Sequence, residues 1–455
     1  MYIYNSLTGT KQAFHPIKPG EIKLYVCGQT VYDVCHIGHA RSMIAFDMIV
    51  RYLQSQNYKV IFARNITDVD DKIINRANEN HESCDAITKR YIDLMHQDEA
   101  DLQLVKPTHE PRATEFIKPI IELIQTLIDE KIAYSAGNGD ICFSIRAFKE
   151  YGKLSKRDIE KLIAGARIDI NEGKKDPLDF VLWKCAKPNE PQWESPWGNG
   201  RPGWHIECSA MAATLLGQPF DIHGGGMDLK FPHHENEIAQ SECAYHKPFA
   251  NTWMHVGLLN VEGEKMSKSL KNFFTIQEVL AKYSVEVIRY FMLSAHYRSP
   301  VDYSKDNMEK AEQALRRLYT AIRGLSVTGD ARISERFVAA MDDDFNTPIA
   351  FATLFDIARE INKLRESGKI DDATQLATQL KKCAEVFGFL QSDPELFLQG
   401  NVDTDFSAQV ETLIADRNLA RQNKNYLEAD RIRQELQKLN VVIEDTAGKT
   451  TWRKI

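Results

Sequence analysis

Two stretches of this chain follow the same pattern, and that pattern admits few folds. Ile22–Gly28 is an apolar run of strand length, followed by a loop, by apolar residues at helical spacing from Gly38 to Leu53, and by a second strand-like run, Lys59–Ala63. Strand, crossover helix and strand form a βαβ unit, which needs a parallel sheet covered on both faces. The pattern returns later: a strand over Pro219–His223, three glycines at Gly224–Gly226, a helix over Pro232–Tyr245 and a strand over Asn251–Val256. Two such halves separated by an insertion predict an α/β fold with a split Rossmann-type parallel sheet. Ligands bind such sheets at the carboxyl ends of the strands.

Around this frame the expected organisation is a first sheet half over 1–105, an inserted module over 106–190, the second half over 191–258 and a region with a basic loop over 259–308. A helical bundle over 309–402 and a small C-terminal α+β module over 403–455 complete it. The bundle is read from apolar positions at 315, 318, 322 and 325 and through Ile349–Leu364 and Leu376–Leu390. Within 183–204, four of the six tryptophans share a segment with several prolines and glycines, which reads as a loop with a task. The 455 residues suffice for about three domains. No basic leader with an apolar core opens the chain and no run of about 18 apolar residues occurs, so a cytoplasmic protein with no membrane segment is expected. Eight cysteines in a reducing compartment read as small hydrophobes, metal ligands or thiols with chemistry rather than as disulfides. The net charge of −7 argues only loosely against a polyanionic partner.

Three constellations could carry chemistry. His36 and His39 stand three apart at the start of the first helix, so both imidazoles can face one side beside backbone N–H groups suited to phosphate; two surface histidines near a cap are the alternative. Lys265 and Lys268 alternate with hydroxyls in Glu264-Lys-Met-Ser-Lys-Ser269, a loop able to close over a polyphosphate or simply to be solvated. The two motifs follow the first and the last sheet strand and would therefore meet at one sheet edge. His233 and Glu237 are four apart on a helix and share a face, a common half-site for zinc, and Cys27 and Cys208 could complete a tetrahedron. His234, Cys35, His205 and His223 are rival ligands.

The residues His36-Ile-Gly-His39 and Lys265-Met-Ser-Lys-Ser269 resemble the two signatures of class I aminoacyl-tRNA synthetases. Leu24-Tyr-Val-Cys-Gly28, Arg64-Asn-Ile-Thr-Asp-Val-Asp-Asp-Lys72, Arg201-Pro-Gly-Trp-His-Ile-Glu-Cys-Ser209 and the run from Asp221 to Glu237 are similar, more narrowly, to the cysteinyl-tRNA synthetases. The likeness extends through Met341–Pro348 to Thr450-Thr-Trp-Arg-Lys454. It implies one zinc per chain on Cys27, Cys208, His233 and Glu237, which takes the substrate thiol as thiolate. It further implies ATP with Mg2+, L-cysteine and tRNA(Cys) as partners, and a monomer. His36, His39, Lys265 and Lys268 are assigned to ATP and its phosphates, Asp228 to the ribose, and Thr67, Trp204 and His205 to the amino-acid pocket or the metal's surroundings. A pocket that works by shape separates near-isosteres such as cysteine and serine by only about 10–200-fold, whereas ligation discriminates further, so no editing domain is expected. In one departure, Lys271 stands where the family usually has glycine before Asn272.

The last 44 residues carry nine Lys/Arg against six Asp/Glu, a basic end on an acidic chain. Arg421, Arg431, Trp452 and Arg453 are the expected tRNA contacts, by charge and by base stacking, with Trp452 as a core residue of the small module being the alternative. Rival functions are a ligase passing activated cysteine to a small-molecule amine and a non-catalytic zinc protein that binds RNA.

Overall fold

The computed structural model describes residues 1–158, 160, 173–265, 272–329, 331–400, 404–446 and 449–454. Two compact units are present. The first holds Met1–Asn307 with Ala339–Pro348, and the second Met308–Val338 with Ile349–Ile455.

The first unit is organised by four parallel strands: β1 (Glu21–Thr30), β2 (Lys59–Thr67), β3 (Phe220–Gly226) and β4 (Ala250–Val256), in spatial order β4-β3-β1-β2. Helix α1 (Ile37–Ser55) carries the chain from β1 to β2, and α2 (Trp204–Leu216) and α3 (His233–Tyr245) flank β3. β3 and β4 are buried along almost their whole length and β1 and β2 over half or more of theirs, as parallel strands covered by helices must be. Strand order reverses between β1 and β3, which opens a crevice at their carboxyl ends.

The three glycines do not form a loop after a strand. Gly224, Gly225 and Gly226 are the last residues of β3, paired with Met254, His255 and Val256 of β4. A Cβ on Gly224 would stand 2.3 Å from the Phe46 ring of α1, so the missing side chain is what lets helix and sheet approach. On the other side of β1, the register with β2 slips between Val26 and Gln29. Gly28 sits at the slip, where a Cβ would lie 1.7 Å from the carbonyl oxygen of Asn65, and its N–H donates instead to Asn65 Oδ1 at 2.8 Å. Such an irregularity re-aims a neighbouring side chain, here Cys27.

The inserted module is a four-stranded antiparallel sheet of Ala133–Ser135, Ile141–Phe143, Phe180–Cys185 and Gly200–Pro202, covered by the helix Ile117–Asp129. The tryptophan-rich segment is corrected by it. Trp183 lies in a strand and is buried, and Trp193 and Trp197 pack on the same core, because large rings fill the small module. Trp204 alone of the four begins a helix and is exposed. The segment Ala339–Pro348, read from sequence inside the bundle, packs in the first unit. There Asp342 accepts from Tyr52 at 2.7 Å, and Asp344 accepts from Tyr297 and Arg298, each at 2.9 Å.

The second unit contains the helix Ile370–Glu385 and all but the first residues of the helices Lys305–Ile322 and Thr347–Glu366, with buried positions at the expected spacing, among them Leu315, Leu318 and Ile322. It ends in Thr404–Gln422, Tyr426–Lys438 and the antiparallel strands Val441–Thr446 and Lys449–Lys454. Ala447 and Gly448, the expected hairpin closure, lie outside the described residues.

Candidate active site

At the carboxyl end of β1, four donors from three distant segments converge. Cys27 Sγ lies 3.7 Å from Cys208 Sγ and 3.3 Å from Glu237 Oε1, and His233 Nε2 lies 3.0 Å from that same oxygen. Helix α2 delivers Cys208, and α3 delivers His233 and Glu237 from successive turns of one face. A sulfur–sulfur separation of 3.7 Å is far too long for a disulfide of about 2.05 Å. It matches the edge of a tetrahedron with metal–sulfur bonds of about 2.3 Å, roughly 3.8 Å. These four form a candidate metal site, all donor atoms lying within 4.8 Å of one another.

Of the rival ligands, His223 and His234 make an overlapping set with Cys27 and Glu237. His223 Nε2 lies 2.7 Å from Glu237 Oε2, and His234 Nδ1 is 2.9 Å from His255 Nε2, both in complete burial. Cys27, by contrast, also lines an open cavity. His205 stands behind His233, their Nδ1 atoms 2.9 Å apart, so it touches the cluster and does not line that cavity. Cys35 is held elsewhere, donating to Gln29 Oε1 at 3.0 Å.

The charges of this cluster are strongly perturbed. Burial pushes the Cys27 thiol well above its ordinary value. Burial would also raise Glu237, but His223 and His233 hold it well below the usual carboxylate range. Cys208 comes down to about 6: burial opposes this, and hydrogen bonding with Cys27 and His233 outweighs it. A buried nest of thiols and a carboxylate is the donor set a soft divalent cation would neutralise.

The cavity, of about 540 Å³, runs from this cluster along the sheet edge and is lined by Cys27, Gly28, Tyr32, His36, His39, Lys72, Trp204 and Asp228 among others. His36 caps α1, its Nδ1 accepting from Gly38 N–H at 3.1 Å, and His39 Nδ1 accepts from His36 N–H at 3.2 Å. The two rings stack with centroids 3.6 Å apart. With each Nδ1 used as an acceptor, the proton of a neutral ring resides on Nε2, which is then a donor. Burial, with the charges of His36 and Lys72, lowers His39 to about 3, so it is a neutral donor at pH 7. Asp228, exposed one turn beyond β3, folds back over Gly226, where a Cβ would stand 2.4 Å from its carboxylate. Trp204 forms a wall, stacked on His233 at 4.5 Å.

The remaining expected residues divide. Thr67 is buried and its hydroxyl donates to Glu207 Oε2 at 2.8 Å; it supports the cluster from behind and does not line the cavity. The strand Glu264–Lys265 pairs with Leu259–Val261, and Lys268 and Lys271 lie outside the described residues. Beyond that loop, Phe274 C=O accepts from Ile37 N–H at 3.0 Å and Ile276 N–H donates to Cys35 C=O at 3.2 Å, tying the second motif's continuation to the first. Asn65, which bridges Gly28 N–H and, at 3.6 Å, Cys208 Sγ, was missed by sequence reasoning although it lies in a quoted motif.

In the terminal module, the stacking role expected of Trp452 is corrected. It is 1% exposed among Val410, Ile414, Ile432, Leu436 and Val441, with its indole N–H on Glu411 Oε1 at 2.7 Å. A small module needs a large apolar residue to fill its core, and the ring has no face left for a base. Arg421 pairs with Asp445, and Arg431 with Glu428 and Glu435, all on the surface, where such pairs are weak. The exposed aromatic is Tyr426, at 64%, beginning a helix just past Arg421 and Lys424. The side chain of Arg453 lies outside the described residues. Among the described residues no helix is long and apolar enough to cross a membrane.

Comparison with known proteins identifies the family of the chain. The family described as tRNA synthetases class I (C) catalytic domain matches residues 13–313, a DALR domain matches 336–391, and a cysteinyl-tRNA ligase anticodon binding domain matches 403–453. The cysteine–tRNA ligase of Coxiella burnetii (strain Dugway 5J108-111) is 56% identical over 457 residues, covering 100% of both chains. That of Pseudomonas aeruginosa (strain UCBPP-PA14) is 56% identical over 460 residues, covering 100% of this chain and 99% of its own. Among solved structures, a Mycobacterium tuberculosis methionyl-tRNA synthetase in complex with methionyl-adenylate superposes with a TM-score of 0.57 at 15% identity, covering 83% of this chain and 91% of that one, a likeness of fold. With likeness at this level running through sheet, bundle and terminal module alike, the chain belongs to the class I cysteine–tRNA ligase family.

Proposed function

We propose that the protein activates L-cysteine with ATP and transfers it to the 3′ end of tRNA(Cys). The observation that carries this reading is the placement of the Cys27–Cys208–His233–Glu237 cluster and the His36–His39 pair along one cavity at one sheet edge. The carboxylate of cysteine attacks the α-phosphorus of ATP and pyrophosphate leaves; a ribose hydroxyl of the tRNA then attacks the acyl carbon and AMP leaves. Neither step needs a side-chain nucleophile, so the chain's task is to position the reactants and stabilise charge.

In this reading the Nε2–H groups of His36 and His39 donate to phosphate oxygens, Asp228 accepts from the nucleotide ribose, and Trp204 closes the amino-acid end. Lys265 and Lys268 neutralise the β and γ phosphates, with Mg2+ accompanying ATP. Cys27, Cys208, His233 and Glu237 would hold zinc, which when bound supplies a Lewis acid that accepts a thiolate far better than a neutral hydroxyl. Asn65, Thr67, His205 and His223 hold those four in place. Arg421, Arg431 and Tyr426 face the tRNA, and the terminal module at 403–455, whose last 44 residues are basic, favours a tRNA acceptor over a small-molecule amine. The protein works in the cytoplasm, where its eight free thiols stay reduced.

The test is exchange of labelled pyrophosphate into ATP. Exchange that depends on cysteine, falls on removal of zinc by a chelator and is accompanied by charging of tRNA(Cys) is expected. Absence of cysteine-dependent exchange in the metal-loaded protein would overturn the reading.

A further inference from the structure

At the start of the helix Asp71–Asn80, beside Tyr32, stands Lys72, an exposed lysine with no carboxylate ion pair among the described residues. Lys72 lines the same cavity as His36 and His39, and its Nζ stands 5.3 Å over the Tyr32 ring. The acids next to it on the helix and on the loop after the first strand make other contacts. Asp70 caps the helix, accepting from the backbone N–H of Lys72 at 2.8 Å. Asp71 accepts from Lys184 at 2.7 Å and from the buried Arg201 at 2.5 Å, both reaching from the inserted module. Asp33 accepts from Arg76 at 3.0 Å, and Arg76 also donates to the Tyr32 carbonyl at 3.2 Å, which clamps the loop after β1 to this helix. Among the described residues no carboxylate pairs with the Lys72 ammonium.

The arrangement aims charge deliberately. Arg76 ties the Tyr32 backbone to the helix, the Tyr32 ring faces the ammonium in a cation–π contact, and the helix N-terminus adds its own positive end. An exposed ammonium that shares a cavity with the His36 and His39 rings is suited to an anion carrying several negative oxygens. Its effect on the cavity already shows in His39, whose protonation it opposes.

We propose that Lys72 is a further phosphate-binding residue of the adenylation step, its ammonium holding oxygens of the ATP triphosphate beside His36 and His39. As the cysteine carboxylate bonds to the α-phosphorus, the bond from that phosphorus to the bridging oxygen breaks and the electron pair leaves with pyrophosphate. Lys72 stabilises the negative charge of the phosphates during this transfer and exchanges no proton. The assignment rests on the reading of this cavity as the ATP site.

The test compares wild type, Lys72→Met and Lys72→Arg in cysteine-dependent pyrophosphate exchange, with zinc content, KM for cysteine and thermal midpoint as controls. Lys72→Met is expected to lose about 10- to 100-fold in kcat/KM for ATP, the size of a charge-assisted hydrogen bond, with the controls unchanged, and Lys72→Arg to recover most of the loss. Lys72→Met within about twofold of wild type, or an equal loss in Lys72→Arg, would overturn the assignment while leaving the ATP site standing. Wild-type protein without exchange would overturn the reading of the cavity and the assignment with it.

Discussion

His223 Nε2 lies 2.7 Å from one oxygen of Glu237, while the other oxygen of that carboxylate faces His233 at 3.0 Å and Cys27 at 3.3 Å. One residue thus orients a ligand whose other oxygen two more residues face. Outer partners of this kind typically contribute 10- to 100-fold in metal affinity. His223→Ala is therefore expected to bind zinc about 10- to 100-fold more weakly, read by competition with a chromogenic chelator. Unchanged affinity would remove His223 from the site's support.

The two overlapping donor sets make opposite predictions. In the set containing both sulfurs, Cys208→Ser loses a thiolate and should fall below one zinc per chain, with its preference for cysteine over serine reduced. His234→Ala should keep one zinc, because His234 belongs only to the other set. Elemental analysis of the two variants distinguishes the sets, and the reverse pattern would move the metal to His223 and His234.

Trp452 and Tyr426 should separate stability from recognition. Trp452 fills the terminal core, so Trp452→Ala should cost about 3–5 kcal/mol and unfold that module, seen as loss of protection in hydrogen exchange over 404–454. Tyr426 is 64% exposed, and Tyr426→Ala should leave that protection intact while weakening binding of tRNA(Cys) by about 1–3 kcal/mol, the worth of one stacked base. Equal tRNA affinity in Tyr426→Ala would exclude stacking there.

Gly224 meets Phe46 across the interface of sheet and helix. Gly224→Ala places a methyl where only 2.3 Å is available, and overpacking of this kind costs about 1–3 kcal/mol. A lowered thermal midpoint is expected, and Phe46→Leu in the same chain should recover much of it. No recovery in the double variant would mean that the strand, and not the ring, sets the cost.

What could be read from the sequence follows from what each pattern encodes. The βαβ halves were legible because burial on both faces of a parallel sheet leaves continuous apolar runs, and His233 with Glu237 because helical spacing alone puts them on one face. Cys27 and Cys208 needed ligand chemistry as well, since no local period joins β1 to α2. The glycines at 224–226 lie past the apolar run that marks the strand, and only the packed structure shows that they extend it, their bare backbone admitting Phe46 and His234. Trp183 and Trp452 were misread for a related reason: clustered or terminal tryptophans look available for binding, and only the packed structure shows that small modules use them as core. Asn65 and Lys72 escaped notice because their roles depend on which neighbours are already engaged.

His39 supplies a pH test with a definite sign. Its ordinary value is 6.5, and in the folded protein burial, then His36 and Lys72, bring it to about 3. Between these values the unfolded chain holds a proton that the folded one does not, so the folded state loses stability as pH falls from about 6.5 toward 3, and His39 contributes no slope above that window. Replacing His39 by Asn removes the titrating group, so the thermal midpoint of His39→Asn should fall less steeply than that of wild type between pH 6.5 and 4. An imidazole resonance of His39 that fails to titrate above pH 4 in wild-type protein would agree, and one that titrates near 6.5 would show that the ring is not held neutral. Because the same neutrality makes Nε2 a donor at pH 7, Lys72→Met should move this titration upward, linking the cation at the cavity mouth to the protonation of the ring beside it.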